Sequence, residues 1–311
     1  MGTGGAKGAG GARGAGGAKG SGGARGTGGA RATGGTTGSG GATAKGGTSG
    51  AGTGGAGTGG VASTVDATVN ACSGYNGVGA GVDAGLAQGL VAYYPCEAAS
   101  STNLPDLSGN SPAANATLGS SGTGGSAGYS FAAGHINNAL ELIKASKGYA
   151  ALPVGILAGA CEMTIATWVY LNSESDWQRI WDFGNDSTVY MFLASSTNGT
   201  TKVTRFAITI GGNGNEEGIN AGPPLSTGAW IHVAVVLGPA GGALYVDGIQ
   251  KGANASMTLR PADLGSTQNN YIGRSQFSQD PYLDGNIDDF RIYNRALSAD
   301  EIKALHDYTG P

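Results

Sequence analysis

The sequence predicts an all-β fold: a sandwich of two antiparallel sheets with one short C-terminal helix, preceded by a disordered Gly-rich tail. The 4 Trp, 12 Tyr and 6 Phe residues all lie beyond residue 70, in a segment of about 220 residues that suits one all-β domain. Short runs of β-branched and aromatic residues alternate there with Gly, Pro, Asn and Ser, as in strands joined by turns. Strands do not alternate with long helical patterns, so a parallel α/β fold is not expected.

The tail, residues 1–60, holds nearly half of the 62 glycines and neither an aromatic nor an acidic residue. It repeats six-residue units such as KGAGGA and RGAGGA, in which the largest side chain is a cation. Such units cannot bury a core, and they lack the aliphatic side chain that fills a hexapeptide solenoid. We therefore expect residues 1–87 to form a disordered linker and residues 88–311 to form one domain. Adhesion of the spaced cations to an anionic envelope or polysaccharide is the alternative role of the tail.

Charge and hydropathy restrict the partners and the location of the protein. The chain has 17 basic and 21 acidic residues, and six of the basic ones lie in the tail, which leaves the domain acidic and disfavours nucleic acid. No stretch approaches the roughly 20 apolar residues of a membrane span. The opening MGTGGAKGAG has no signal-peptide core. Since low-complexity tethers of this kind usually lie outside the cell, we expect a secreted or cell-surface protein in which Met1 is an internal start or a fragment boundary.

Nine segments of the domain have the composition of strands. In EMTIATWVYL, Met163 and Ile165 alternate with Thr164 and Ala166, and apolar groups occur on both faces, which predicts a central strand covered on both sides. The nine segments are LVAYYPC, ALELI, EMTIATWVYL, QRIWDFG, TVYMFLA, VTRFAITI, AWIHVAVVL, ALYVDG and NIDDFRIY.

Two local signals predict a turn and a helix. Asp247-Gly248 favours the positive φ angles of a type I′ hairpin turn. SADEIKALHDY predicts the helix, because Ser298 and Glu301 have the spacing of a capping box and Leu297 can pack on Ile302.

The order of several motifs from about residue 88 to 306 resembles the laminin G-like jelly-roll modules of the concanavalin A-like lectin and glucanase superfamily. The resemblance implies a jelly-roll sandwich, and it is nearest to copies found in bacterial polysaccharide-degrading and surface proteins. The motifs are LVAYYPCE, DLSGN, TIATWVYL, RIWDFGND, GAWIHVAVVL, LYVDG, YIGR and GNIDDFRIYNRALSADEI.

The same resemblance implies one structural Ca²⁺ ion. Asp288 on the closing strand is the expected ligand, with Asp106 or Glu97 from the first loops as its partner, since calcium prefers oxygen ligands. The alternative is that Asp288 accepts backbone hydrogen bonds.

A disulfide between Cys96 and Cys161 is expected. The family pattern has an aromatic residue where Cys96 stands, and Cys161 precedes the strand EMTIATWVYL, so both belong to the folded region. Cys72 lies in the linker and is expected to be free or intermolecular. Oxidising surroundings outside the cell permit such a bond.

Two kinds of chemistry are not expected. Glucanases of this superfamily carry two carboxyl groups on one strand, as retaining hydrolysis requires, but Glu174 and Asp176 are followed by Gln178 and Arg179. The histidines do not form a zinc site in this interpretation: His232 is expected to be packed in a strand, and His135 and His306 lack ligand neighbours.

Carbohydrate binding requires an exposed aromatic ring beside polar groups that bind hydroxyls. Trp168, Trp181 and Trp230 lie in predicted strands and are expected in the core, whereas for Trp177 binding and packing remain open alternatives. The predicted ligand-binding residues are Trp177, Arg179, Asn185, Asp186 and Tyr282. We expect a non-catalytic module that binds a polysaccharide or surface glycan; a structural or protein-contact module is the alternative, and a glycoside hydrolase is less favoured.

Overall fold

The computed structural model describes Cys72 and residues 85–99, 102–120 and 128–310. They belong to a unit of residues 63–311, and a separate unit, residues 1–62, lies outside the described part. Two antiparallel sheets of eight strands each account for most of the regular secondary structure of the described chain. This arrangement confirms the all-β sandwich. The predicted linker, residues 1–87, falls almost entirely outside the described residues.

The first sheet is built around two neighbouring strands, β7 (Met163–Leu171) and β16 (Gly285–Tyr293). Strand β1 (Leu90–Tyr94) pairs with the second half of β16, and β5 (Asn138–Leu142) pairs with its first half. The other strands, in spatial order, are β14 (Ile249–Asn254), β13 (Gly241–Val246), β12 (Trp230–Gly238), β7 (Met163–Leu171), β16 (Gly285–Tyr293), β5 (Asn138–Leu142) and β4 (Tyr129–Ala133).

The second sheet faces the first across the core, and all its neighbouring strands are antiparallel. Its strands, in spatial order, are β11 (Glu217–Ala221), β10 (Thr204–Thr209), β9 (Tyr190–Ala194), β8 (Arg179–Gly184), β15 (Asn269–Ile272), β6 (Gly148–Leu152), β3 (Ala116–Ser120) and β2 (Asn103–Leu104).

The core lies between the two inner faces. Trp181 and Phe206 of the second sheet and Ile165 and Phe290 of the first are fully buried in it. Burial of such side chains, at about 1.5 to 3 kcal/mol each, is the main stabilising contribution. Strand β7 lies between β12 and β16 and is buried along nearly its whole length, as its two apolar faces predict.

The local predictions of a turn and a helix are confirmed. Asp247 and Gly248 have φ values of 50° and 71° and join β13 to β14. Helix α1 (Ala299–His306) begins with the Ser298–Glu301 capping box. Its Ile302 packs on the outer face of the first sheet. No helix in the described residues is long and apolar enough to cross a membrane.

The disulfide prediction is wrong in its pairing. Cys161 is bonded to Cys72, with the Cα atoms 5.4 Å apart, and Cys96 is a buried free thiol. Cys96 lies in the core, where its Sγ donates to the Tyr94 carbonyl and burial raises the pKa of the thiol well above its usual value. The bond therefore attaches part of the predicted linker to the start of β7, whereas Cys96 replaces an aromatic residue as a packing group.

Replacing either Cys72 or Cys161 with Ser is expected to lower the melting temperature. The bond joins residues 89 apart, and on the chain-entropy model its loss costs about 4 to 5 kcal/mol, or roughly 10 °C in a domain of this size. The double variant should have the same melting temperature as the single variants, because each of the three removes the same cross-link. Thermal denaturation without reductant provides the measurement.

The matched control is Cys96→Ala, which should lower the melting temperature only slightly and leave the disulfide intact. A non-reducing peptide map should join Cys72 to Cys161 in the wild type and in this control. A map that joins Cys96 to either residue would contradict the pairing.

Candidate functional site

The two outer faces of the sandwich differ. The outer face of the first sheet carries helix α1, whereas the outer face of the second sheet holds a cavity of about 290 Å³. Side chains from two strands, β8 and β9, and from the loops beside them line this cavity: Trp177, Arg179, Phe192, Asn198, Asn213, Glu216, Phe277 and Asp280.

A β-bulge in β8 orients the charged residues of the cavity. The register shifts between Arg179 and Trp181, and both Ile180 and Trp181 point into the core. The extra residue of a bulge reverses the alternation of side chains. Arg179 and Asp182 consequently both lie on the outer face, where they form an ion pair.

Arg179 is a buried structural charge rather than a free ligand-binding group. Its Nε lies 3.3 Å from Oδ2 of Asp182 and its Nη2 3.0 Å from Oδ2 of Asp280. Nη1 donates to the Trp177 carbonyl, and Cζ lies 3.8 Å from the centroid of the Phe192 ring. Burial raises the pKa of Asp182 to about 6 even though Arg179 opposes the shift. Arg179 thus fixes the floor of the cavity.

Aromatic rings form the walls of the cavity. Phe192 is buried and forms the floor, whereas Trp177 and Phe277 are partly exposed. Trp177 has a φ of 60°, in the left-handed region, and its ring meets Phe192 edge-on at 6.4 Å. Phe277 meets Tyr190 edge-on at 5.4 Å. Trp177 and Phe277 are therefore the rings that a ligand can contact.

Two amides supply uncommitted polar groups. Asn198 and Asn213 are exposed, and neither side chain forms a hydrogen bond within the described residues. Glu216, by contrast, accepts from the hydroxyl of Tyr190 at 2.7 Å and pairs with Arg205 at 2.8 Å. The cavity therefore combines neutralised charges with free amides, an arrangement suited to uncharged hydroxyl groups.

The other predicted binding residues do not line this cavity. Asn185 accepts from the backbone N–H of Gln268 and, with Asp186, lies at the turn after β8. Asp186 accepts from the backbone N–H groups of Thr188 and Val189, which lowers the pKa of its carboxyl. Asp186 therefore stabilises the turn, and Asn185 joins the turn to the segment before β15. Tyr282 lies in a second aromatic group beside Tyr149, with ring centroids 6.3 Å apart.

Sequence patterns missed much of the cavity. Phe192 stands in a strand buried on both faces, and an alternation signal does not tell the outer face from the core. Asn213 belongs to the segment GGNGN, which has no phosphate-binding signature. Phe277 and Asp280 lie in an irregular loop. Only the polar and aromatic composition of that loop could have indicated them.

The three tryptophans assigned to the core lie in different places. Trp181 is fully buried between the sheets, as predicted. Trp168 is also buried, but on the outer face of the first sheet, and Trp230 is only half-buried there. The prediction for Trp230 is therefore wrong, because its strand exposes one face at that end.

The predicted calcium ligands have different environments. The carboxylate of Asp106 accepts from the backbone N–H groups of Tyr93, Ser108 and Ala114 and from the Ser108 hydroxyl, which commits both of its oxygens. Asp288 accepts from the Ile136 N–H through Oδ2, but its buried Oδ1 has no hydrogen-bond partner. Burial raises the pKa of Asp288 to about 7.

Glu97 binds the same segment as Asp288, since it accepts from the N–H of Asn138 and the side chain of Asn137. Asp288 therefore has one buried oxygen without a partner, and each oxygen of Glu97 accepts a single hydrogen bond and keeps a second lone pair for a cation. The four hydrogen bonds to Asp106 occupy both lone pairs of each of its oxygens. Within the described residues, no group of three or more His, Cys, Asp or Glu side chains has the geometry of a metal site.

The histidines converge, although the sequence places them far apart. The ring of His135 stacks on Trp168 with centroids 3.5 Å apart, and the rings of His232 and His306 lie 5.3 and 5.2 Å from the same indole. His306 has a carboxylate neighbour after all, because its Nδ1 lies 2.9 Å from Asp307. His232 is packed, as predicted, and burial beside His306 and Arg291 lowers its pKa to about 3.

The short acidic motif considered for hydrolysis is exposed. Glu174 and Asp176 lie before β8 and both pair with Lys202, at 2.9 and 2.8 Å. The lysine sits between the two carboxylates.

Fold and cavity together define a class: a two-sheet jelly-roll sandwich with an aromatic, polar-rimmed cavity on one outer face. Residues 144–303 match the Laminin_G_3 family model, which describes the concanavalin A-like lectin/glucanases superfamily. The chain belongs to this superfamily, which confirms the resemblance seen in its motifs. No curated protein matches the sequence.

Solved structures share the fold at low sequence identity. Domain 4 of AbnA, an extracellular arabinanase from Geobacillus stearothermophilus in complex with arabinotriose, has a TM-score of 0.56 and 20% identity; the match covers 70% of this chain and 98% of that one. The binding domain of Paraclostridial Mosquitocidal Protein 1 has a TM-score of 0.52 and 16% identity, covering 71% and 52%. Trypanosoma rangeli sialidase has a TM-score of 0.50 and 18% identity, covering 70% and 32%.

Acid should destabilise the protein through His232. In the unfolded chain a histidine has a pKa near 6.5 and is protonated below this pH. In the folded protein His232 stays neutral there, because its pKa is much lower. The contribution of His232 to the free energy of unfolding is therefore fully present above about pH 6.5 and is lost as the pH falls toward 3. At pH 4.5 the loss is about 2 to 3 kcal/mol. The raised pKa values of Asp182 and Asp288 act in the opposite direction, so the measurement must isolate His232.

The comparison is between the wild type and His232→Leu in urea unfolding from pH 7.5 to 4.5. The stability difference between the two proteins should shift by about 2 to 3 kcal/mol in favour of the variant as the pH falls. His135→Leu is the matched control, because His135 is an exposed histidine beside the same indole; partial burial and His306 lower its pKa in the same direction. Equal pH dependence in both variants would show that His232 is not the group responsible.

Proposed function

We propose that this domain is a non-catalytic, extracellular module that binds carbohydrate through the cavity on the outer face of the second sheet. The observation that carries the proposal is the pair of partly exposed rings, Trp177 and Phe277, beside the uncommitted amides of Asn198 and Asn213. A sugar presents an apolar ring face bordered by hydroxyl groups. Aromatic rings contact the face, and amides both donate to and accept from hydroxyls.

The electrostatics of the cavity support binding rather than hydrolysis. Each carboxylate that lines it is engaged: Asp280 by Arg179, and Glu216 by Tyr190 and Arg205. Retaining hydrolysis needs one ionised and one protonated carboxyl group about 5 to 5.5 Å apart, facing the substrate. Charges already neutralised by arginine serve instead to hold the cavity in shape.

The comparisons support the same class of function. The arabinanase domain contains arabinotriose, and nearly its whole length matches this chain. The binding domains of a mosquitocidal protein and of botulinum neurotoxin serotype D/C also have this fold. Together with the Cys72–Cys161 disulfide, which oxidising surroundings favour, these likenesses support a location outside the cell.

A protein-contact role is the second candidate. A groove of about 470 Å³ lies at one end of the sandwich and is lined by Trp230, Pro223, Pro224 and Lys251 among other residues. Half-buried tryptophan is common at protein interfaces. This groove involves a different tryptophan from the proposed glycan site, so the two roles are separable by mutation.

Trp177→Ala should weaken glycan binding at least ten-fold, since loss of a stacked ring at the centre of a site removes about 2 kcal/mol or more. A glycan array identifies the ligand, and calorimetry with arabinotriose and the best array ligand measures the change. Asn213→Ala should weaken binding less, because it removes a hydrogen bond and leaves the rings.

Trp230→Ala is the matched control, because it removes a partly exposed tryptophan from the other sheet. It should leave glycan binding unchanged. If Trp230→Ala abolished binding and Trp177→Ala did not, the glycan site would lie at the other groove; if no glycan bound at all, the protein-contact role would be favoured.

We also propose that Asp288 and Glu97 hold one structural calcium ion. The unpartnered Oδ1 of Asp288 and the nearby carboxylate of Glu97, which raises the pKa of Asp288 further, support this proposal. Calcium would supply the positive charge that this buried carboxylate lacks.

Chelation should therefore lower the melting temperature, because a ligand that binds only the native state stabilises it by mass action. Asp288→Asn should abolish the response to calcium. Asp106→Asn should destabilise the protein yet preserve the response, because Asp106 binds backbone N–H groups. An unchanged melting curve with and without chelator would show that Asp288 acts only through its hydrogen bond.

A further inference from the structure

A second aromatic group lies on the same outer face as the cavity. It consists of Tyr149, Tyr271, Tyr282 and Arg274, all partly exposed. The rings of Tyr149 and Tyr271 meet edge-on at 5.5 Å, and the guanidinium carbon of Arg274 lies 4.8 and 4.5 Å from their centroids. The two rings hold the guanidinium in place by cation–π contacts.

Arg274 differs from the arginines around the cavity in having no anionic partner. Arg179 pairs with Asp182 and Asp280, and Arg205 pairs with Glu216. Within the described residues, the guanidinium of Arg274 forms neither an ion pair nor a hydrogen bond. A held, planar guanidinium with free N–H groups is the side chain best suited to bind a carboxylate or sulfate group.

The strand register places this group beside the cavity. Phe192 pairs with Asp182, and Asp182 pairs with Tyr271, so the three residues form one row across β9, β8 and β15. Strands are spaced about 4.8 Å apart, which puts Tyr271 about 10 Å from Phe192. That distance is short enough for one oligosaccharide to reach both.

A single loop, residues 273–283, connects the two groups. It carries Arg274 and Tyr282 of the second group and Phe277 and Asp280 of the cavity. The loop starts at Gly273, whose φ of 81° turns the chain and whose Cα lies so close to Leu142 that a Cβ would come within 2.4 Å of it. The N–H of Gln276 donates to Asp182, which anchors the loop to β8.

We propose that the ligand of this face is an oligosaccharide with an anionic sugar unit: a neutral ring contacts Trp177 and Phe277, and a carboxylate or sulfate group binds Arg274. This inference rests on the proposed glycan-binding function and adds the chemical class of the ligand. The acidic net charge of the protein opposes a polyanion at long range. Salt screens that repulsion beyond about 8 Å at physiological ionic strength, so the nearby guanidinium of Arg274 dominates the interaction with a bound anion.

Matched pairs of neutral and anionic sugars test the proposal by calorimetry. The pairs are galactotriose with trigalacturonate, for a carboxylate, and lactose with 3′-sulfolactose, for a sulfate. The wild type should bind at least one anionic member about ten-fold tighter than its neutral partner, as charge-assisted hydrogen bonds imply. Which pair shows the preference identifies the anion.

Arg274→Gln should remove the preference while leaving the affinity for the neutral sugar unchanged. Arg274→Lys should retain part of it, because the charge remains but the planar donor does not. Lys303→Gln is the matched control for net charge: it removes one exposed cation from helix α1, on the outer face of the first sheet, and should preserve the preference.

Equal or weaker binding of both anionic sugars, or a preference that survives in Arg274→Gln, would overturn the proposal. The outcomes also separate it from the proposed function. Trp177-dependent binding of neutral glycans without an anionic preference would leave the glycan site standing and reject the role of Arg274. If anionic sugars bound through Arg274 and Trp177→Ala did not weaken that binding, the role of Arg274 would stand and the glycan site at Trp177 would be rejected.

Discussion

The outer face of the second sheet depends on one buried cation, Arg179. Its guanidinium is 3% exposed and lies between Asp182 on its own strand and Asp280 on the loop of residues 273–283. Removing one partner of such a pair leaves a buried charge uncompensated, at a cost of about 3 to 5 kcal/mol. Because Asp280 belongs to the loop that also carries Phe277 and Arg274, the ion pairs help to place one ring of the cavity and the cation of the second aromatic group. The bulge in β8 makes this possible by turning Arg179 and Asp182 to the same side.

The two outer faces of the sandwich differ in how much of each is covered by packing. On the first sheet, Tyr293 and Val236 pack against Ile302 and Leu305 of helix α1, so the helix covers these apolar side chains. On the second sheet the loop covers only part of the face, and rings remain partly exposed beside amides without partners. Exposed aromatic groups with a polar rim mark binding surfaces in soluble domains.

The candidate site shows which of the residues selected from the sequence the structure brings to one cavity. Trp177 was predicted from its place in a polar loop, and it lines the cavity. Asn185 and Asp186 are also polar loop residues, a few positions further on, yet their oxygens already accept backbone hydrogen bonds. Those to Asp186 hold its own turn, and that to Asn185 comes from the segment before β15. Composition indicates which groups are able to bind a ligand; whether the backbone has already engaged them is a property of the folded chain.

The sequence by itself determined the features with local causes: most of the strands of the sandwich, the Asp247-Gly248 turn through its positive φ angles, and helix α1 through its capping box. Only the tertiary structure decided which distant residues meet. The Cys72–Cys161 bond, the three imidazoles around Trp168 and the row of Phe192, Asp182 and Tyr271 all depend on strand order and register. Register is set by the packing of whole sheets, so a local pattern along the chain does not predict it.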